Sequence, residues 1–250
     1  MSSTQDLFAA LDASQPVKDL LRRLHAVSSA QEEQTNKIGG KLEALKTLKR
    51  QGGSEAEETY QREFDDLMRD QMVVLEPEKA LFVYQLLRAL RATKVVEAGT
   101  SFGVSTIYLA LAVGQNATKL GVAAGGRAKV IATENEPSKI ARARQNWKDA
   151  GQDVEKWIEL REGDLRETLS QDLPDEIDFV LFDIWTPMLL PTLKLLEPKL
   201  KKGAVLVSDN IISSAEGYHD FHEHIRNHSR AYRSLILPYL GGLEFTLYDP

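Results

Sequence analysis

Short apolar runs and amphipathic helical stretches alternate along most of this chain. From residue 77 onward, seven apolar runs of strand length recur, and helical stretches separate most of them. Such alternation favours an α/β fold, with a doubly wound, mostly parallel sheet that carries helices on both faces. The predicted strands are residues 94–98, 129–133, 157–160, 178–183, 204–208, 232–237 and 243–248.

The connection between the last two predicted strands, residues 238–242, is too short to hold a crossover helix. Strands joined by so short a link pair antiparallel. We therefore predict a Rossmann-like sheet of seven strands in which the last strand is antiparallel. The glycine- and alanine-rich stretch at 114–127 is predicted to be a loop inserted before the second strand.

Residues 1–76 differ from the rest of the chain because they contain no strand-like run. A helix face is predicted from the spacing of four apolar residues, Val17, Leu20, Leu21 and Leu24. Further helical patterns follow at 42–48 and from residue 54. We predict a helical N-terminal extension over 1–76 and one α/β domain over 77–250. The extension is expected either to cover a substrate pocket or to form a homodimer interface.

Composition narrows the classes of protein to consider. The chain has 250 residues, a length that suits one large domain with an extension, and no cysteine, which excludes disulfides and thiolate metal ligands. Its formal charge is −6 and no basic run is long, so neither nucleic acid nor a membrane is an expected partner. Without a signal-peptide pattern or an apolar run of membrane length, we expect a soluble cytoplasmic protein.

The sharpest local motif is VVEAGTSFGVST at 95–106, an apolar strand that enters a glycine turn and then a helix. Gly99 permits close approach of the backbone to a ligand, and the helix N-terminus offers free N–H groups. Glu134, at the tip of the second strand, is placed to bind ribose hydroxyls. The three-glycine dinucleotide fingerprint is absent, which favours an adenosine ligand over NAD. An ordinary strand-to-helix turn is the alternative.

Carboxylates also end three other predicted strands. Asp183 ends one strand, and Asp209 and Asn210 end the next. Because ligand sites lie beyond the carboxyl ends of parallel strands, these three side chains are expected to converge, and three oxygen ligands suit Mg²⁺. Asp164 follows the third strand and is placed either to meet an adenine or to cap a helix. Separate helix capping is the alternative for all of these carboxylates.

Residues 178–212 resemble catechol O-methyltransferase and its metal-dependent relatives. The likeness rests on the strand-end Asp183, Trp185 two residues later, a leucine-rich helix, a Lys-Gly turn and the Asp209-Asn210 pair. Residues 99–106, 134–137 and 242–248 also match that family's patterns. Over about residues 70–250, the chain is thus identified by resemblance as a class I S-adenosylmethionine-dependent methyltransferase.

The resemblance implies roles for individual residues. Asp183, Asp209 and Asn210 would hold Mg²⁺ or another divalent cation. Glu244 would accept a hydrogen bond from the second hydroxyl of a vicinal diol, and it joins Asp183 as a catalytic candidate. The residues implied to contact S-adenosylmethionine are Met72, Val74, Glu97, Gly99, Thr100, Ser105, Glu134, Asp164, Leu165, Asp183 and Trp185.

One position departs from the family. Thr186 stands where the family has its catalytic lysine base, and a threonine hydroxyl cannot act as a base near neutral pH. We expect a Mg²⁺-dependent O-methyltransferase that acts on a hydroxyl of a small, catechol-like aromatic. The alternatives are a methyltransferase of a carboxylate or acidic phenol, and a protein of this fold that uses the cofactor non-catalytically.

Four of the five histidines lie close together in the sequence, at His219, His222, His224 and His228. The last two are one helical turn apart and could share a metal ion. Their charged neighbours favour a solvated helix face instead.

Overall fold

Seven strands form one sheet at the centre of the protein, which we describe from a computed structural model. The strands are β1 Lys94–Ala98, β2 Lys129–Glu134, β3 Ile158–Glu162, β4 Ile177–Phe182, β5 Leu200–Asp209, β6 Tyr232–Leu237 and β7 Leu243–Tyr248. Their order is β3-β2-β1-β4-β5-β7-β6. Strand β7 runs antiparallel to both of its neighbours, and the other pairs are parallel. The predicted topology is confirmed.

The structure describes residues 6–37, 58–59, 62, 69, 71–124, 127–228 and 230–250. The helical patterns predicted at 42–48 and from residue 54 lie outside these ranges, apart from a few helical residues between 58 and 69. Within the described ranges, no helix has the length and apolar character that crossing a membrane requires.

Helices pack on both faces of the sheet. They are α1 Gln15–Lys37, α2 Pro77–Leu90, α3 Val104–Leu120, α4 Pro137–Ala150, α5 Gln152–Glu155, α6 Leu165–Thr168, α7 Thr186–Leu196 and α8 His219–Asn227. Side chains alternate between the faces of each strand, so Val95 joins the hydrophobic cluster on one face and Val96 joins the cluster on the other. The alternation leaves the carboxyl ends of the central strands free to carry polar groups.

The N-terminal helix α1 belongs to the same hydrophobic core as the α/β domain. All four apolar residues predicted on its inner face are buried, and they share a cluster with residues of α2 and α3. Polar contacts join the same parts: His25 Nε2 lies 2.9 Å from Tyr108 Oη, and Gln115 donates to the Asp12 carbonyl at 2.6 Å. The described part of the N-terminal region therefore stabilises the domain on which it packs.

The loop predicted at 114–127 is wrong in its first half, because α3 continues to Leu120. Gly114 lies in that helix, and a β-carbon there would come within 2.4 Å of the indole nitrogen of Trp157. The side-chain amide of Asn116 donates to two backbone carbonyls at the end of α2, both at 2.9 Å. Small residues thus allow the helix to pack closely, where their composition had suggested a loop.

Candidate active site

The turn after β1 is shaped by the end of β4. The amide of Asp183 donates to the carbonyl of Ala98 at 2.9 Å. Gly99 has φ +90°, and a β-carbon there would lie 2.1 Å from the Asp183 carbonyl oxygen. The sequence analysis attributes this glycine to the approach of a ligand. The structure shows that the neighbouring backbone requires it in any case.

Glu97 is the buried polar centre of this turn. Its carboxylate accepts hydrogen bonds from the hydroxyls of Thr100 at 2.9 Å, Ser105 at 2.6 Å and Thr106. Burial raises the pKa of Glu97 to about 6, although these hydrogen bonds oppose the rise. The carboxylate joins β1 to the turn and to the first turn of α3. Thr106 is a contributor that the sequence analysis did not single out.

Glu134 joins the turn after β1 to the turn after β2. The amide of Ser101 donates to its Oε2 at 2.7 Å, and the amides of Asn135 and Glu136 donate to its Oε1 at 2.9 and 3.0 Å. Each carboxylate oxygen can accept two hydrogen bonds. The Oε2 atom of Glu134 therefore keeps a lone pair for a ligand hydroxyl, and its contact with a ribose stays a prediction.

Asp164 is the N-cap of α6, as in the capping alternative. Its Oδ1 accepts from the backbone amide of Arg166 at 2.8 Å, and the Arg166 guanidinium pairs with both carboxylate oxygens. Hydrogen bonds from Arg166 lower the pKa of Asp164 to about 2. Contact between Asp164 and an adenine stays a prediction.

Hydrophobic residues expected near the cofactor are distributed between core and surface. Met72 is buried, and its amide donates to the side chain of Gln31 at 2.7 Å. Val74 and Leu165 are partly buried against the two hydrophobic clusters. Trp185 is 49% exposed. An exposed indole at the carboxyl edge of the sheet is accessible to a ligand.

The two strand-end aspartates lie side by side. Parallel pairing of β4 with β5 sets Phe182 opposite Ser208, so the next residues, Asp183 and Asp209, lie at the same level at the carboxyl ends of the two strands. Burial, followed by the charges of Asp209 and Glu97, raises the pKa of Asp183. The structure thus brings together two of the three candidate metal ligands in a setting that disfavours further negative charge.

A lysine from α2 contacts the second of these aspartates and a glutamate just before its own helix. Lys79 Nζ lies 2.6 Å from Asp209 Oδ1 and 2.7 Å from Glu76 Oε2, and the lysine side chain is 1% exposed. Burial disfavours the charged amine, but hydrogen bonds with Asp209 and Glu76 outweigh it and raise the pKa of Lys79. We call Glu76, Lys79, Asp183 and Asp209 the strand-end cluster. Lys79 is a member of this cluster that was not predicted from the sequence.

The expected Mg²⁺ site can be tested against this arrangement. Divalent-cation ligands must direct their oxygens at one point. Here Asp209 Oδ1 contacts Lys79, and Asp209 Oδ2 accepts from the side-chain amide of Asn210 at 3.1 Å. The Asn210 Oδ1 atom is 3.3 Å from the hydroxyl of Ser213. As arranged, the Asp209-Asn210 pair does not fit a divalent cation, because the ammonium of Lys79 already contacts the Asp209 carboxylate.

Thr186 and Glu244 make other contacts. Thr186 begins α7, and a β-carbon on Gly217 would lie 2.0 Å from its hydroxyl oxygen. Glu244 pairs across the strands with Ser208, so it lies on the face of the sheet opposite to that of Asp209. It is 3% exposed, and its Oε2 is 3.1 Å from His222 Nε2. The structure does not bring Glu244 into the strand-end cluster, and its expected contact with a diol stays a prediction.

The solvated histidine face is only partly correct. The side chain of His219 is 78% exposed, whereas those of His222 and His224 are 18% and 14% exposed. His224 Nε2 lies 3.3 Å from Oε2 of Glu197. Two histidines of α8 thus face carboxylates inside the fold, a pairing between distant elements that local sequence does not reveal.

Comparison with known proteins adds a similarity to a known domain family. Residues 96–211 match the family model of a methyltransferase domain, a range that begins in β1 and ends just beyond Asp209 and Asn210. None of the curated proteins matches this sequence.

Solved structures share the fold. A Klebsiella pneumoniae protein proposed to be an O-methyltransferase is 17% identical, with a TM-score of 0.65 over 98% of this chain and 94% of its own. The O-methyltransferase TomG of Streptomyces achromogenes, solved with S-adenosylmethionine, is 23% identical, with a TM-score of 0.59 over 76% and 86%. An O-methyltransferase of Bacillus cereus, solved with S-adenosylhomocysteine, is 20% identical, with a TM-score of 0.58 over 70% and 83%. At these identities the likeness establishes the fold.

Proposed function

We propose that this chain is a class I methyltransferase, which its methyltransferase-domain match and its fold support, and that it transfers a methyl group from S-adenosylmethionine to an oxygen of a small aromatic acceptor. The observation that carries the proposal is the link between the Gly99 turn and Glu134. Backbone amides hold the Glu134 carboxylate at the strand ends with one lone pair free. Such an acceptor suits the ribose of an adenosine ligand that has no pyrophosphate.

The chain's own residues supply binding and orientation in this proposal. S-adenosylmethionine, when bound, supplies a methyl group already activated by its sulfonium. Glu134 accepts from the ribose, and Glu97 holds Thr100 and Ser105 in place beside the methionine part. Because Glu97 is fully buried and bonded to three hydroxyls, it keeps the turn in one conformation. Enzymes gain much of their rate from such fixed alignment of reactants.

The acceptor is proposed to bind beside the strand-end cluster. Its hydroxyl must lose a proton, because a phenol with a pKa near 10 is mostly neutral at pH 7. Thr186 cannot take that proton, and its hydroxyl faces Gly217. We do not include the Mg²⁺ requirement expected from the sequence, because the ammonium of Lys79 contacts the carboxylate of Asp209, one of the expected cation ligands.

A carboxylate or an acidic phenol is the second candidate acceptor. The observation that favours it is the threonine at position 186, in place of a base. An acceptor that is already ionised at neutral pH requires no base, and S-adenosylmethionine methylates it directly once the two are aligned.

Calorimetry tests the cofactor part of the proposal. S-adenosylhomocysteine should bind and NAD should not. Glu134→Ala should weaken S-adenosylhomocysteine binding by about 1–3 kcal/mol, the cost of leaving buried hydroxyls without partners. Glu162→Ala is the matched control, because Glu162 ends the neighbouring strand β3 and pairs with Arg144 on the surface. Binding of NAD without any response to S-adenosylhomocysteine would contradict the proposal.

A methyl-transfer assay across catechols, simple phenols and benzoates separates the two acceptor classes. Turnover of phenols or catechols supports an aromatic hydroxyl as the acceptor. Strong turnover of benzoates, with none for any vicinal diol, would instead establish the second candidate.

A further inference from the structure

The buried ammonium of Lys79 stands among carboxylates that would otherwise attract a metal ion. Its Nζ contacts Asp209 Oδ1 and Glu76 Oε2, and electrostatic coupling extends to Asp183. A buried lysine is rare unless it is paired, and an ammonium buried at 1% exposure requires strong compensation. The pairing is therefore a built feature of the fold and not an incidental surface contact.

The ammonium can donate one more hydrogen bond than these two contacts use. A protonated lysine carries three N–H donors. Among the described residues, Asp209 and Glu76 are the partners of Lys79 Nζ, which accounts for two donors. Because Nζ contacts Asp209, the last residue of β5, the ammonium lies at the strand ends where the acceptor is proposed to bind. A buried donor without a partner is costly, so a ligand oxygen at this point would be favoured.

We infer that the ammonium of Lys79 takes the place of a divalent cation in the acceptor site, donating to the oxygen that is methylated, so that turnover requires no metal. This inference rests on the proposed function. The resemblance to metal-dependent methyltransferases implies that a bound cation supplies the positive charge of the site. The inference assigns that charge to Lys79 instead.

Every atom and electron pair of the methyl transfer is accounted for without a metal ion. The acceptor's O–H proton passes to water. An oxygen lone pair then forms a C–O bond to the methyl carbon as the C–S bond breaks, and the electrons of that bond remain on sulfur as S-adenosylhomocysteine. Lys79 donates a hydrogen bond to the negatively charged oxygen throughout. A fixed donor aimed at developing negative charge typically contributes on the order of 10²- to 10³-fold in rate.

Manganese binding, followed by the electron paramagnetic resonance of free Mn²⁺, tests the inference without relying on activity. The wild-type protein should bind no Mn²⁺ at the strand-end cluster. Lys79→Ala removes the ammonium and leaves space beside the carboxylates of Asp209, Glu76 and Asp183, so it should gain an Mn²⁺ site that Asp209→Asn abolishes. Lys79→Met, which fills the space without a charge, should gain much less affinity.

Turnover provides the second measurement. Wild-type turnover should change less than about twofold in excess chelator, whereas Lys79→Met should lose about 10²-fold. Lys129→Met is the matched control, because Lys129 also pairs with a glutamate but lies at the start of β2, away from the carboxyl ends. It should retain wild-type turnover. Thermal unfolding of each variant shows whether it is folded. If Lys79→Ala is not, Mn²⁺ binding by the wild type and the turnover of Lys79→Met still test the inference.

Two results would overturn the inference: Mn²⁺ binding to the wild-type protein that depends on Asp209, or loss of turnover in chelator that Mg²⁺ restores. Either result would leave S-adenosylmethionine-dependent methyl transfer intact. Failure of the proposed function would appear instead as absent S-adenosylhomocysteine binding, whatever the outcome of the manganese experiment.

Discussion

The carbonyl oxygen of Asp183 lies 2.1 Å from the point that a β-carbon on Gly99 would occupy. Gly99→Ala should therefore force β1 and β4 apart at their carboxyl ends. With the cost of φ +90° added, we expect a loss of at least about 3 kcal/mol in the free energy of unfolding and weaker S-adenosylhomocysteine binding. Urea denaturation and calorimetry measure the two effects.

Gly121→Ala is the control for this substitution. Gly121 also has a positive φ, 68°, but a β-carbon there would meet no atom of the described residues within 4 Å. The substitution should cost about 1–2 kcal/mol, from the backbone conformation alone. Equal losses for the two variants would show that the contact with Asp183 is unimportant.

The N-terminal helix should be indispensable for stability. Leu21 is fully buried in the cluster shared with α2 and α3, so Leu21→Ala should lower the free energy of unfolding by about 2–5 kcal/mol. Val27, on the same helix, is 41% exposed, and Val27→Ala should change stability by less than about 0.5 kcal/mol. A separate unfolding transition for α1, or no effect of Leu21→Ala, would show that the helix is an independent attachment.

Acidification should destabilise the protein through His25. Burial lowers the pKa of His25 from 6.5 to about 4, so the unfolded chain binds a proton more readily than the folded protein. The contribution of neutral His25 to the free energy of unfolding is fully present above pH 6.5 and falls as the pH drops towards 4. The total loss amounts to about 3 kcal/mol.

Comparison of wild type with His25→Gln isolates this contribution. Burial also raises the pKa of Glu97 to about 6, so protonation of Glu97 stabilises the folded protein as the pH falls. This effect opposes that of His25, but it is the same in both proteins and cancels in the comparison. The difference between their unfolding free energies should shrink from pH 7 to pH 4. A constant difference across that range would mean that His25 does not titrate as its burial requires.

Thr186→Lys should not restore a family-like base. The Thr186 hydroxyl lies against Gly217, so a lysine at position 186 would have to turn away from that contact or move the adjoining helical turn. We expect a loss of about 1–3 kcal/mol in stability and no gain in turnover of weakly acidic phenols. Thr186→Ser, which retains the hydroxyl, should behave as wild type. A gain of about 10²-fold would instead show that the new amine reaches the acceptor as a general base.

Much of the fold can be predicted because its determinants are local. Apolar runs of strand length and the short 238–242 link are sufficient for the seven strands and the antiparallel pairing of β7. The adjacency of Asp183 and Asp209 follows from the same information, since both residues end neighbouring parallel strands. The loop prediction fails at Gly114. The glycine- and alanine-rich composition of the stretch indicates a loop, whereas Gly114 lies in a helix and packs closely against Trp157.

Lys79 could not be placed in the site from spacing alone, because its partner Asp209 lies 130 residues away in the sequence. One clue was present: Lys79, Val83 and Leu87 share a helix face at intervals of four, so the lysine falls on an otherwise apolar stripe. A charged residue in such a position requires a buried counter-charge. The identity of that counter-charge depends on tertiary packing.

Three backbone amides immobilise Glu134 before any ligand arrives. Its rotamer entropy is therefore lost when the chain folds, and not when the cofactor binds. Ordering a flexible side chain at a binding site typically costs about 0.5–1.5 kcal/mol, and the ribose contact is spared that cost. Affinity at this point is thereby coupled to the integrity of the two turns that supply these amides, so substitutions that loosen either turn should weaken binding without touching the ligand.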